Sequence, residues 1–244
     1  MKNYMFTIQY DGTKYNGWQR LPELLEKTIQ GKIEILLSKL LDEKIEIIGS
    51  GRTDAGVHAL MQVANFKTPK KLEKDFIGQF NRYLPEDIRI TSFQEVDERF
   101  HSRYNAKLKT YMYRIDNSPF GDPFLRKFAY HIDKKLDLDS MKKAAEIFIG
   151  EHDFTSFSKN SKKKSCVRTI EGIEIVEKGD ILEIFFTSDG FLYNMVRMIT
   201  GALVSVGLHQ ISLEDIQELL KEETRTKHRF VVPPQGLFLH SVKY

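Results

Sequence analysis

The stretch GSGRTDAGVHAL, residues 49–60, sets three glycines, an arginine, an aspartate and a histidine within twelve positions. That density suggests a phosphate loop, but the spacing fails. A dinucleotide fingerprint G-x-G-x-x-G begun at Gly49 needs glycine at position 54, where Asp54 would repel a pyrophosphate. Gly51 and Gly56 have P-loop spacing, yet Val57 and His58 replace the lysine and hydroxyl, leaving phosphate charge uncompensated. Asp54 and His58 could share an ion, but no H-x-x-x-H or H-E-x-x-H spacing supports them, and His152-Asp153 has no further spaced ligand. A G-x-S-x-G nucleophile elbow is also missing. What remains is a glycine-hinged loop presenting Arg52 and Asp54 together. Its carboxylate is either a reactive group or an acceptor for the turn's own N–H groups.

The elements around this loop follow from periodicity. Residues 4–10, YMFTIQY, alternate as a strand, and Ile29, Ile33, Leu36, Leu37 and Leu40 share one helical face. KIEIIG is a strand running into the loop, and MQVANF is the strand that leaves it. DFIGQFNRYL is helical up to Pro85, and IRITSFQEV returns as a strand. The order is β-α-β-β-α-β, that of a ferredoxin-like unit. The second half reads similarly: TYMYRI, a helix LDSMKKAAEIFIG, and a hairpin over 169–188 turning at Gly179-Asp180. There follow a helix over 191–207 ended by Gly207 as a C-cap, a helix with Ser212 as N-cap and Asp215 three residues on, and a closing strand GLFLHSV. The expected fold is α+β: two related ferredoxin-like halves, 1–104 and 105–244, with mixed, mainly antiparallel sheets and an active-site cleft between them.

Composition narrows the class. At 244 residues, 41% apolar and 29% charged, the chain reads as globular, and no apolar run approaches the roughly 20 residues of a membrane span. The start, MKNYMFTIQYDG, lacks the features of a signal peptide. Cys166 is the single cysteine, which excludes an internal disulfide and a cysteine cage and points to a cytoplasmic setting. A net charge of +3 is only mildly basic. Its lysines and arginines cluster, however: Lys67, Lys70, Lys71 and Lys74; Lys159, Lys162, Lys163 and Lys164; Arg225, Lys227 and Arg229.

GRTDAGVHA resembles the signature of the tRNA pseudouridine synthase A family, and the resemblance continues along the chain in order. YDGTKYNGWQ (10–19), TIQGKIE (28–34), RFHSRYNAKLKTYMYRI (99–115), GEHDFTSFS (150–158) and FLYNMVRMITGAL (191–203) are similar to the family's other motifs. RLPELLEK at 20–27 and the lysine-rich 159–164 depart from the pattern. The resemblance implies isomerisation of uridine to pseudouridine in the tRNA anticodon stem-loop, at tRNA positions 38, 39 and 40. The chemistry breaks the bond from C1′ to N1, turns the uracil and rejoins C1′ to C5. It implies no cofactor and no metal, a tRNA partner, no membrane, and a homodimer.

By the same resemblance Asp54 is the catalytic carboxylate, either attacking C1′ or removing the C2′ proton. A cation must hold a sheltered carboxylate ionised. Arg197, placed off the apolar stripe of Leu192, Val196, Ile199 and Leu203, is the candidate, in agreement with the family pattern. Tyr111 matches the tyrosine that packs against the base, on the strand face it shares with Tyr113 and Ile115. Arg52, Arg103 and Lys109 are RNA-binding candidates, Arg52 meeting phosphate or taking the place of the extruded base, and His58 braces the loop. A non-catalytic RNA-binding module would share the fold but have no need of a carboxylate in its RNA-facing loop. A metal-dependent hydrolase lacks ligands.

Overall fold

The computed structural model describes residues 1–73, 75–159, 165–221 and 230–244. Lys74, Lys162, Lys163, Lys164, Arg225, Lys227 and Arg229 of the basic clusters lie outside the described residues. The chain forms two compact units, Met1–Lys107 with Phe238–Tyr244, and Leu108–Leu237. Residues 238–244, which chain order assigns to the second half, thus fall in the first unit.

In the first unit β1 (Lys2–Tyr10), α1 (Ile29–Leu41), β2 (Ile48–Gly49), β3 (His58–Thr68), α2 (Phe76–Tyr83) and β4 (Ile88–Val96) keep the β-α-β-β-α-β order. β1 pairs antiparallel with both β3 and β4, and β2 pairs antiparallel with β3, giving the spatial order β4-β1-β3-β2. Phe6, Leu37, Phe66, Phe80 and Ile90 converge beneath the sheet. Each such side chain stabilises the fold by roughly 1.5–3 kcal/mol through burial. α2 stops at Tyr83 because Leu84, extended at φ −70°, precedes Pro85.

Two features of this unit differ from the periodic reading. α1 buries Ile29, Ile33, Leu37 and Leu41 together with Gln30 and Glu34, while Leu36 and Leu40 are only half-buried. The strand expected over 44–49 shortens to Ile48–Gly49. Its earlier N–H groups are taken by α1 side chains: Ile45 donates to Ser38 Oγ (2.9 Å) and Ile47 to Glu34 Oε1 (2.9 Å).

The second unit contains β5 (Leu108–Asp116), β6 (Tyr130–His131), α3 (Leu138–Ile147), β7 (Gly150–Asp153), β8 (Val167–Lys178), β9 (Ile181–Ser188), α4 (Met195–Gly207) and α5 (Leu213–Lys221). Its antiparallel order β5-β9-β8-β7, with β6 beside β5, repeats the β1-β3-β2 arrangement and extends it. The hairpin turns at Gly179-Asp180, where Gly179 has φ +64°. Ser212 Oγ accepts from Asp215 N–H (3.1 Å) and Asp215 Oδ2 from Ser212 N–H (2.7 Å), a reciprocal cap for α5.

α4 departs from expectation at both ends. Its first turn waits until Met195, because Asn194 ahead of it takes φ +63°. Gly207 is helical rather than a cap, and the left-handed residue is His209 at φ +56°. N–H of Gln210 bonds Ser205 O and N–H of His209 bonds Val206 O, the paired closure of a Schellman end. Gly207 is small for packing: a Cβ there would lie 2.8 Å from the Met141 side chain. Finally β10 (Leu237–Lys243) returns to the first unit, where Phe238 and Leu239 pair parallel with His58 and Ala59 of β3.

Glu183 on β9 is a buried charge with a full set of partners. Arg114 bonds it through Nη2 (2.7 Å) and Nε (3.1 Å), and Lys178 Nζ through the other oxygen (2.7 Å). Burial alone would raise its pKa, but the bonds from Lys178 and Arg114 outweigh that and hold it below the usual carboxylate range. A folded pKa below the unfolded value of about 4.3 stabilises the fold above that pH, and the benefit is lost as pH falls through the folded value. Melting curves of the wild type and Glu183→Gln should therefore differ by a constant gap from about pH 8 to pH 5.5, narrowing below pH 4.5. A gap that ignores pH would contradict the assignment.

Candidate active site

Residues 50–57 join β2 to β3, and both ends of the loop are tied down. Ser50 N–H bonds Val63 O (2.7 Å), Ser50 Oγ bonds Gln62 Oε1 (2.7 Å), and Gln62 Nε2 bonds Gly51 O (3.0 Å). Asp54 opens a four-residue turn closed by Val57 N–H to Asp54 O (3.1 Å). Gly56, third in that turn, has φ +77°, as a type II turn requires. Gly49 serves a different end: a Cβ there would meet the Trp18 indole at 2.6 Å. Asp54 is half-buried and Arg52 exposed.

Residues 10–18 form a cradle that lies backbone to backbone against this loop. Trp18 N–H bonds Thr53 O (3.0 Å), Gly56 N–H bonds Tyr15 O (3.3 Å), and the Tyr10 hydroxyl meets Thr53 Oγ1 (2.7 Å). Gly17, at φ +91°, could carry no side chain without displacing the loop, since a Cβ would lie 2.5 Å from Thr53 O and 3.0 Å from the Asp54 carbonyl carbon. At Gly12 a Cβ would fall 1.9 Å from Val57 O. Gly12 N–H bonds His58 Nδ1 (3.1 Å), which also lies 3.2 Å from Asp11 Oδ1, and the buried His58 ring stacks on Phe238 (4.7 Å). His58 is thus placed as the brace that the sequence suggests. Burial pushes the Tyr10 hydroxyl well above its usual pKa, so it stays a neutral hydrogen-bonding group.

α1 supports the cradle from the other side. Thr28 caps the helix, and the N–H groups of Ile29 and Gln30 bond the carbonyls of Gly17 (3.1 Å) and Trp18 (3.0 Å). Gln30 and Glu34, buried side by side, bond each other (3.0 Å) and hold Ile47 just before the loop. The TIQ…E pattern therefore acts at a distance on the Asp54 loop. Arg103 is exposed on the segment that follows β4.

The second unit holds the other candidates. All of α4 is buried except Arg197 and Ser205, so the expected single apolar stripe is replaced by an almost wholly enclosed helix. Arg197 is half-buried and anchored: Nε bonds Val232 O (2.8 Å) and Nη1 bonds Asn194 Oδ1 (3.0 Å). The neighbouring carbonyl, Pro233 O, accepts from the Tyr113 hydroxyl (2.7 Å). Burial raises the Tyr113 pKa, with the Arg197 charge pulling the other way. Tyr111 is buried on β5 with its ring edge-on to Phe191 (5.1 Å, 82°), and Lys109 is half-buried on the same strand. Asn194 and the carbonyls at 232–233 escape the sequence reading, which places Tyr113 on the face of Tyr111 but gives it no role. The one signal available was a polar residue three positions ahead of Arg197 at a helix start.

The chain matches the family model described as tRNA pseudouridine synthase over residues 7–105 and 144–244. It is 48% identical to "tRNA pseudouridine synthase A 2" of a Bacillus cereus strain over 246 aligned positions, covering all of both chains. It is 50% identical to "tRNA pseudouridine synthase A" of Bacillus sp. (strain KSM-64), again over the whole of both.

The chain belongs to the tRNA pseudouridine synthase family.

A further relative, "tRNA pseudouridine synthase A 1" of Clostridium tetani, is 45% identical over all of both chains. Among solved structures the chain is similar to one in "Crystal structure of the archaeal box H/ACA sRNP Nop10-Cbf5 complex", at 13% identity and a TM-score of 0.35, covering 87% of this chain and spanning about half (53%) of that one. A likeness at that score adds nothing to the family. The two stretches matched by the family model contain the Asp54 loop, its cradle and α4 with Arg197; Lys109 and Tyr111 lie between them.

The cradle makes a direct prediction. Tyr10→Phe removes the partner of a buried Thr53 hydroxyl, which should lower stability by about 1–2 kcal/mol in urea unfolding. An unchanged midpoint would show that this bond does not hold the loop.

Proposed function

We propose that this chain isomerises uridine to pseudouridine in the anticodon stem-loop of tRNA, at positions 38, 39 and 40, with Asp54 as the catalytic carboxylate and without a cofactor. The observation that carries the reading is the placement of Asp54 at the head of a turn whose backbone is fixed by the Tyr10–Trp18 segment. A carboxylate held that firmly suits a reaction that asks for one acid at one sugar carbon. The glycosidic bond from C1′ to N1 breaks, the uracil rotates, and a bond from C1′ to C5 forms. The proton on C5 leaves, N1 gains one, and the atoms balance with no oxidant or energy source. Asp54 acts either by attacking C1′ or by taking the C2′ proton, and both routes use its ionised form.

In this reading Arg197 keeps Asp54 ionised, and its anchoring to Val232 and Asn194 supports a fixed rather than a roaming charge. Tyr111 packs against the uracil drawn out of the RNA, its ring set by Phe191. Arg52, Arg103 and Lys109 meet the phosphate backbone or, for Arg52, the space left by the base. The protein works in the cytoplasm as a homodimer on tRNA.

Purified protein in EDTA should convert uridine to pseudouridine in an unmodified tRNA transcript, read by mapping the modified positions. Asp54→Ala should lose turnover by roughly a thousandfold or more while melting at the same temperature. Full activity in that variant would overturn the catalytic assignment, and a requirement for added metal would overturn the cofactor-free one.

A further inference from the structure

The segment after β4 builds a feature that the reaction as described does not use. Tyr104 is 77% exposed, yet its ring is not loose: one face stacks on the His101 imidazole at 4.1 Å and 27°. The backbone beneath is fully engaged. His101 Nδ1 accepts the N–H groups of Arg103 (3.2 Å) and Tyr104 (3.3 Å), while His101 N–H bonds Asn105 Oδ1 (2.7 Å) and Asn105 N–H bonds His101 O (3.0 Å). Two buried asparagines root the segment in the first unit. Asn3 Nδ2 bonds the carbonyls of Asp97 and Phe100 (both 2.9 Å), and Asn65 Oδ1 accepts from Ser102 N–H (2.9 Å) and Oγ (2.7 Å). Tyr244 closes the base by bonding Ser102 O (2.8 Å).

Holding a large side chain in one place without burying it costs conformational entropy and returns little hydrophobic stabilisation. Such an arrangement suits a surface prepared for a flat partner. Two exposed arginines, Arg99 and Arg103, stand five and one positions ahead of Tyr104 on the same segment. The two carboxylates of the segment are engaged: Asp97 Oδ1 accepts Arg99 N–H (2.8 Å) and Glu98 pairs with the Met1 amino group (3.4 Å). A fixed aromatic face on a segment that also carries exposed cations matches a nucleobase and its neighbouring phosphates.

We propose that the Tyr104 ring, backed by His101, is a stacking platform for an RNA nucleobase other than the target uridine, with Arg99 and Arg103 taking the adjoining phosphates. The proposal rests on the reading that the chain acts on tRNA. It adds a second point of contact that orients the RNA independently of the Asp54 loop.

The test is equilibrium binding of an unmodified tRNA transcript to the full-length Asp54→Ala protein, so that no turnover intervenes. Tyr104→Leu keeps an apolar side chain but not the flat face and should weaken binding about 5- to 100-fold, whereas Tyr104→Phe should bind within twofold of the parent. Stacking releases no counterions, so Tyr104→Leu should keep the salt slope of log Kd, while Arg103→Ala should reduce it by about 1. Equal melting temperatures for the parent and the two ring variants exclude a collapsed segment. Binding of Tyr104→Leu within twofold of the parent would overturn the proposal, as would a loss shared equally by Tyr104→Phe. Because turnover is not read, failure here leaves the isomerase reading intact, and an inactive wild type would leave the stacking result standing.

Discussion

Where two backbones lie within hydrogen-bonding distance there is no room for a side chain between them. The first unit is organised around one such place. Gly12 and Gly17 let residues 10–18 rest directly on residues 53–57, and hydrogen bonds at Thr53, Gly56 and His58 fasten the two segments together. Any other residue at either glycine would push the segments apart, and the position of Asp54 would move with them. The stability of the unit and the geometry of its carboxylate are in this way one problem.

The rest of the unit reads as support for that contact. α1 offers its first N–H groups to the carbonyls of Gly17 and Trp18, so the helix cannot shift without moving the cradle. Gln30 and Glu34 reach the strand entering the loop, and Gln62 reaches back from the strand leaving it. β10 brings Phe238 against the His58 ring at the loop's exit. In the second unit the same economy of movement is seen around Arg197, whose guanidinium and whose neighbour Tyr113 both grip the chain at 232–233.

Most element types were legible from periodicity: β4 and the β8–β9 hairpin fall where alternation puts them, α2 ends where Pro85 demands, and the reciprocal cap of α5 follows from Ser212 and Asp215. What escaped shares a cause. Apolar periodicity cannot see polar side chains that are buried because they are bonded, so Gln30 and Glu34 were missed and Leu36 and Leu40 overvalued. The same blindness lengthened β2, whose N–H groups go to side chains rather than to a strand. Gly207 looked like a helix stop because glycine often is one, whereas here Met141 needs the space and His209 makes the turn. Elimination left the Asp54 carboxylate as either a reactive group or a turn acceptor, and only the family resemblance chose between them; the loop's dependence on residues 10–18 was not legible, since nothing local in either segment announces the other.

The direct test of that dependence is the single-turnover rate of pseudouridine formation by Gly17→Ala, measured beside its tRNA affinity on protein shown by circular dichroism to be folded. The added methyl displaces Thr53 and Asp54 without touching any group proposed to bind RNA. The rate should fall about 10- to 100-fold with Kd within twofold, since a displacement near 1 Å is enough to spoil an oriented reaction. A rate equal to that of the wild type would contradict the claim that this backbone contact sets the carboxylate proposed to be catalytic.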